Sequence, residues 1–224
     1  MKGRSICGPA WPSLRASRIG GIVLVTSALL SLNALAFNSD LQPQQIEEAY
    51  SLGQTSNHEE LAGFLKEYKH DYQYPPDHPD VFVQSIEFQT PYEQIVLRSQ
   101  AGGARYERSQ AEEAYRANPE LVIVRAVFSL RVHYAGPIPS ADSFEVRVSQ
   151  SKSVEPRKMT STVLCDPYSQ ITYPYSVNRD CQVYSRELLL QFDASQFAPG
   201  RTTIKVSLPN GQVLETKYNL EKLK

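Results

Sequence analysis

Two stretches of the chain carry the residue types that metal chemistry needs. His58-Glu59-Glu60-Leu61 opens like the helix of a zinc protease, in which a second histidine one turn later closes the grip on the ion. Position 62 is Ala62, so that grip is missing and helix capping accounts for Glu59. His70, Asp71, His78 and Asp80 are the better ligand set, with imidazole nitrogens and carboxylate oxygens suited to zinc or a similar ion. Their spacing matches no metal motif, and a solvated polar connector carries the same residues for solubility alone.

Covalent chemistry has less to work with. A serine nucleophile needs an activating base and a strained turn, and no G-x-S-x-G elbow occurs after residue 36. His133 is a lone histidine on the wet face of a strand, and Gly102-Gly103 is too short to cradle phosphate and reads as a turn. No catalytic residue is assigned, and no cofactor is implied. Tyr168, Tyr173 and Tyr175 cluster in one short segment; tyrosine offers broad apolar area with a polar tip, which suits sugar or protein recognition, although the rings can equally form the segment's own small core.

The compartment is the clearest message. Lys2, Arg4, Arg15 and Arg18 precede an apolar run from Ile19 to Leu35 that ends in Ala34-Leu35-Ala36. A basic region, an apolar region and a small-x-small exit make a secretory signal peptide cut between Ala36 and Phe37. Cys7 lies ahead of the apolar run, where a lipid-modified cysteine does not sit. Export is expected to the periplasm or the outside, with the membrane a partner only if the signal stays uncleaved as an anchor.

Removing residues 1–36 takes four of the 23 basic residues and none of the 24 acidic ones, leaving 19 against 24 and a formal charge of −5. Such a surface does not attract phosphate backbones, so nucleic acid is excluded as a partner. Two cysteines remain, Cys165 and Cys181, and a lone pair in an oxidising compartment is expected to join. Closing the loop between them restricts the unfolded chain by about 3 kcal/mol. The three tyrosines fall inside that loop.

The elements that must position these groups change character along the chain. Helical periodicity marks Ile46, Ala49 and Tyr50 up to Gly53, with Asn38-Ser39-Asp40 as capping material, and then Leu61, Phe64, Leu65 and Tyr68 after a Ser56/Glu59 capping box. Residues 70–80 form an extended connector. Val81 to Phe88 reads as a strand, Thr90-Pro91-Tyr92-Glu93 as a capping box opening a third helix, and Ser109/Glu112 as the box of a fourth that ends at Asn118-Pro119. From Val122 the period becomes two: Val122, Val124, Ala126, Phe128, Leu130, Val132 and Tyr134 alternate with polar residues, and Phe144, Val146 and Val148 repeat the pattern. Further strands are predicted over 159–165, 184–192, 202–208 and 212–220, the last two joined by a type I′ turn at Asn210-Gly211.

The segment Phe192-Asp193-Ala194-Ser195-Gln196-Phe197-Ala198-Pro199-Gly200, with Thr203-Ile204-Lys205-Val206 and the Asn210-Gly211 hairpin, resembles the closing strands of immunoglobulin-like modules. Together with the signal peptide and the Ile46–Tyr68 and Ile86–Val96 passages, the chain resembles an uncharacterised family of exported bacterial proteins. That resemblance implies location and fold and carries no activity. The expected architecture is α+β: a signal peptide over 1–36, a helical segment with one strand over 37–119, and an antiparallel immunoglobulin-like β-sandwich over 120–224. The expected role is a non-catalytic binding or structural module for a protein or glycan of the cell envelope. An extracytoplasmic hydrolase, metal-dependent through the His70 to Asp80 set, is the alternative.

Overall fold

Side chains at alternate positions from Val122 to Leu130 are drawn to one side of a strand, and the computed structural model sets that strand, β3 (Leu121–Leu130), in the middle of a five-stranded sheet. The structure describes residue 37 and residues 40–77, 79–130, 139–165 and 183–224, all within one compact unit, Ala34–Lys224. The sheet runs β1 (Lys69–Asp71), β2 (Val81–Gln89), β3, β7 (Val183–Asp193), β6 (Lys158–Cys165), and every pairing in it is antiparallel. A four-stranded antiparallel sheet is ordered β5 (Ser153–Val154), β4 (Glu145–Ser149), β8 (Arg201–Ser207), β9 (Val213–Asn219).

The two sheets share one core. Ile86, Phe88, Phe128, Leu188 and Phe192 of the larger sheet cluster with Val148, Ile204, Val206 and Tyr218 of the smaller, and Phe128 and Phe144 lie 4.3 Å apart between ring centroids. Burying one such ring contributes roughly 2–3 kcal/mol, against about 1 kcal/mol for a helix cap. Closure of the sheets therefore outweighs the local helix signals. Phe37 belongs to this core, its ring 6.2 Å from Phe88 and 6.5 Å from Phe197.

Among the described residues four α-helices precede the central strand: α1 (Pro43–Gly53), α2 (His58–Leu65), α3 (Pro91–Gly102) and α4 (Arg108–Ala117). Ile46, Ala49, Leu61, Ile95, Val96 and Ala111 pack as a second, smaller core, with Phe64 touching both. The architecture is thus α+β, with the helices mostly ahead of the strands. The segments do not divide cleanly, because β1 and β2 come from the helical part and complete the larger sheet.

Several local expectations give way to tertiary structure. The connector over 70–80 begins as β1, an edge strand in which His70 lies opposite Ile86. Asn57, not Ser56, caps α2, its Oδ1 accepting from the Glu60 N–H at 3.3 Å. At α4 the Glu107 N–H donates to Gln110 Oε1 at 2.8 Å, while Glu112 pairs with Arg108 and Arg116 instead of closing a box. Gly53 ends α1 where α1 meets α3: a Cβ there would stand 2.4 Å from the Val96 carbonyl oxygen.

The closing hairpin is also different in kind. The Gly211 N–H donates to the Leu208 carbonyl at 2.9 Å, which puts Pro209 and Asn210 at the centre of the turn. Proline fixes φ near −65°, whereas a type I′ turn needs positive φ there. Gly211 alone takes the left-handed angle, φ 84°, in a three-residue loop. Val132, His133 and Tyr134 lie outside the described residues.

Candidate binding site

The outward positions of the larger sheet hold its charges. Because Ile86 and Phe88 point into the sandwich, Glu87 and Gln89 point the other way, as do Ile123 and Arg125 on β3 and Glu187 and Leu189 on β7. Register brings Glu87 directly opposite Arg125 and puts Glu187 on the diagonal. The Arg125 guanidinium reaches Glu87 Oε2 at 3.5 Å and donates through Nε to Glu187. Gln89 Nε2 donates to Glu87 Oε2 at 2.6 Å.

Arg125 is thereby clamped between two carboxylates. Burial works against its charge, but the hydrogen bond and charge of Glu187, and then those of Glu87, outweigh it and hold the guanidinium above its usual range. Glu87 is 5 % exposed, and its carboxylate is paired and hydrogen-bonded there by Arg125 and Gln89.

Helix α3 crosses beside this face and makes a wall. Gln94 Nε2 donates to the Leu121 carbonyl at 2.7 Å and ties the helix to the start of β3. Between Leu97, Arg98 and Ala101 of the helix and Ile123, Arg125 and Leu189 of the sheet lies an open groove of about 300 Å³. Its floor is apolar at Ile123 and Leu189 and polar along the clamp. Arg98, exposed at the rim, is its outermost charge.

A second acid lies beneath the start of α3. Thr90 caps that helix as expected, its Oγ1 accepting from the Glu93 N–H at 3.3 Å. The reciprocal half of the capping box does not form: Glu93 is fully buried, and neither carboxyl oxygen has a hydrogen-bond partner among the described residues. Burial, and then the charge of Glu87, pushes its carboxyl well up, which favours the neutral acid. Tyr68 and Tyr218 are also raised, chiefly by their own burial; Tyr218 donates to the Ile86 carbonyl at 2.7 Å, and Tyr68 Oη accepts from the Lys224 N–H at 2.8 Å.

Those of the residues singled out by type that the structure describes sit elsewhere. His70 packs edge-on against Tyr218, with ring centroids 5.0 Å apart, and the Asp71 carboxylate pairs with Lys69 Nζ at 2.7 Å. Neighbours in a strand point to opposite faces, so His70 and Asp71 diverge. Asp80 is exposed just ahead of β2, and His78 lies outside the described residues. Among the described residues no three His, Cys, Asp or Glu side chains converge on a metal position. Tyr168, Tyr173, Tyr175 and Cys181 lie outside the described residues, and Cys165 ends β6. His58 and Glu59 are exposed in the first turn of α2.

The Glu87–Arg125–Glu187 clamp had no motif to announce it. Its signal was opposite charge at outward positions of separate strands, visible only once pairing is known. Comparisons with protein-family models, with curated proteins and with solved structures find no match.

Proposed function

We infer that this is an exported, non-catalytic binding module, released by cleavage after Ala36 and working in the cell envelope or outside the cell. The observation that carries this reading is the groove beside α3, in which Arg125 is paired with Glu87 and Glu187. A clamped guanidinium stiffens a surface and offers fixed edges for hydrogen bonding; it does not supply a base or a nucleophile. Apolar floor beside polar edges suits a protein or glycan chain better than a free anion. The wider proposal includes a Cys165–Cys181 bridge, immunoglobulin-like wiring of the sandwich, kinship with exported bacterial proteins, and the tyrosine segment as a second contact.

Binding of the protein to isolated envelope fractions, titrated to saturation, tests the role. The variant Leu97→Arg puts a charge into the groove wall and is expected to weaken saturable binding by about tenfold or more. Envelope binding indifferent to that variant, or turnover of envelope material, sinks the reading. Intact mass of the recovered protein, before and after reduction, tests cleavage and the disulfide: a chain starting at Phe37 and two hydrogens light is the expected result.

A further inference from the structure

Among the described residues the two sheets end in four edge strands, and three of them are guarded. β1 has three residues and carries the Lys69–Asp71 ion pair, β5 has two residues, and β9 shows a Lys217–Glu215 pair at 3.2 Å on its outward face. Short length and charge are the usual devices by which an edge avoids pairing with another chain. β6 has neither. It is eight residues long, pairs only with β7 among the described residues, and after Lys158 runs Met159-Thr160-Ser161-Thr162-Val163-Leu164-Cys165 without a charge, a proline or a glycine.

Two of its exposed side chains are apolar, beside the exposed Lys158, Ser161 and Thr162. Met159 is 47 % and Val163 37 % exposed, two of the four large apolar residues left open among those described. They stand on one face of the strand, with Ser161 between them.

We propose that β6 is the interface through which a second copy of this chain pairs, antiparallel and edge to edge. The strand is its own complement. Centred on Ser161, the pairing sets Met159 opposite Val163 of the second copy, Thr160 opposite Thr162, and Ser161 opposite Ser161, so apolar meets apolar and hydroxyl meets hydroxyl at each step. One register satisfies both ends at once.

Charge limits this pairing without forbidding it. Lys158, the one charged residue of β6, faces Leu164 of the second copy, and Arg157 just ahead of the strand is already paired with Asp193 at 2.6 Å. The Arg186 guanidinium on β7 is tied to Ser161 Oγ at 2.7 Å, and because Ser161 faces Ser161 the two guanidiniums come within roughly 10 Å across the axis, about the screening length at physiological salt. Their residual repulsion adds to the weakness of the pairing. An eight-residue edge buries less than the about 1,200 Å² of a standard interface, so the association is weak, with a dissociation constant on the order of 100 µM.

Sedimentation of the protein recovered from the envelope fraction, from about 10 µM to about 1 mM, should show monomer passing to dimer. Met159→Lys/Val163→Lys opposes lysines at both outer pairs and should abolish the dimer, while Met159→Glu/Val163→Lys opposes unlike charges at the same positions and should restore it. Both variants change only exposed side chains, and matched far-ultraviolet circular dichroism shows that they fold. A monomer at every concentration overturns the proposal, including one that takes up a strand of some other protein. So does a dimer that the first variant leaves intact, or a loss that the second variant does not repair.

Discussion

Glu87 and Glu93 stand six residues apart in the chain, both buried, and they meet burial in opposite ways. On the outer face of the larger sheet, Glu87 is held by Arg125 and Gln89. Under the start of α3, the Glu93 carboxyl has no hydrogen-bond partner among the described residues, and burial pushes it well up. Withdrawal from water is common to both; what differs is the cation on the neighbouring strand, which stands beside Glu87. An acid enters an interior with a counter-charge beside it or at the cost of a raised carboxyl, and two adjoining elements here show the two routes.

Removing the cation attacks the first route most directly. Arg125→Met leaves Glu87 and Glu187 facing each other without compensation and is expected to cost about 3–5 kcal/mol of stability, read as a fall in the urea midpoint with unchanged slope. Raising the pH attacks the second. Between the ordinary carboxyl value of 4.5 and the raised folded value, the folded protein holds the Glu93 proton while the unfolded chain has released it. The unfolded chain then binds fewer protons, so the Glu93 contribution is complete below the ordinary value and is lost as pH rises, by up to about 1.4 kcal/mol per unit. In Glu93→Gln this part of the pH dependence should vanish. A stability profile identical in the two proteins would show that Glu93 is ionised in the fold.

The smallest effect belongs to charges that stayed in water. Glu112→Gln removes the pairs with Arg108 and Arg116 on α4 and should change the midpoint by no more than about 0.5 kcal/mol. A loss comparable to that of Arg125→Met would mean that burial adds nothing to the worth of a pair here.

What could be read from the chain was whatever repeats along it. The alternation of Val122 to Leu130 gave β3 and its buried face, and the runs before and after Pro209 gave β8 and β9. β1 was invisible because three residues, Lys69, His70 and Asp71, offer no alternation and carry the composition of a linker. The Thr90/Glu93 pattern correctly opened α3, yet the carboxyl went into the interior because Pro91, Tyr92 and Glu93 are all buried where the helix meets the sheets. The clamp needed Glu87, Arg125 and Glu187 from three strands, and only their register makes them neighbours. His70 and Asp71 looked like joint ligands by type, but strand geometry turns adjacent side chains apart.

Phe37 gives the proposed export route an order in time. Its ring sits in the sandwich core against Phe88 and Phe197, one position past the proposed cut. A peptidase needs several residues on each side of its bond in extended form, so scission after Ala36 has to happen while the larger sheet is still open. On that proposal folding would withdraw the new terminus from reach and a precursor that folds first would keep its leader, so the race between the two rates, and not the cleavage motif alone, would decide how much free protein is made.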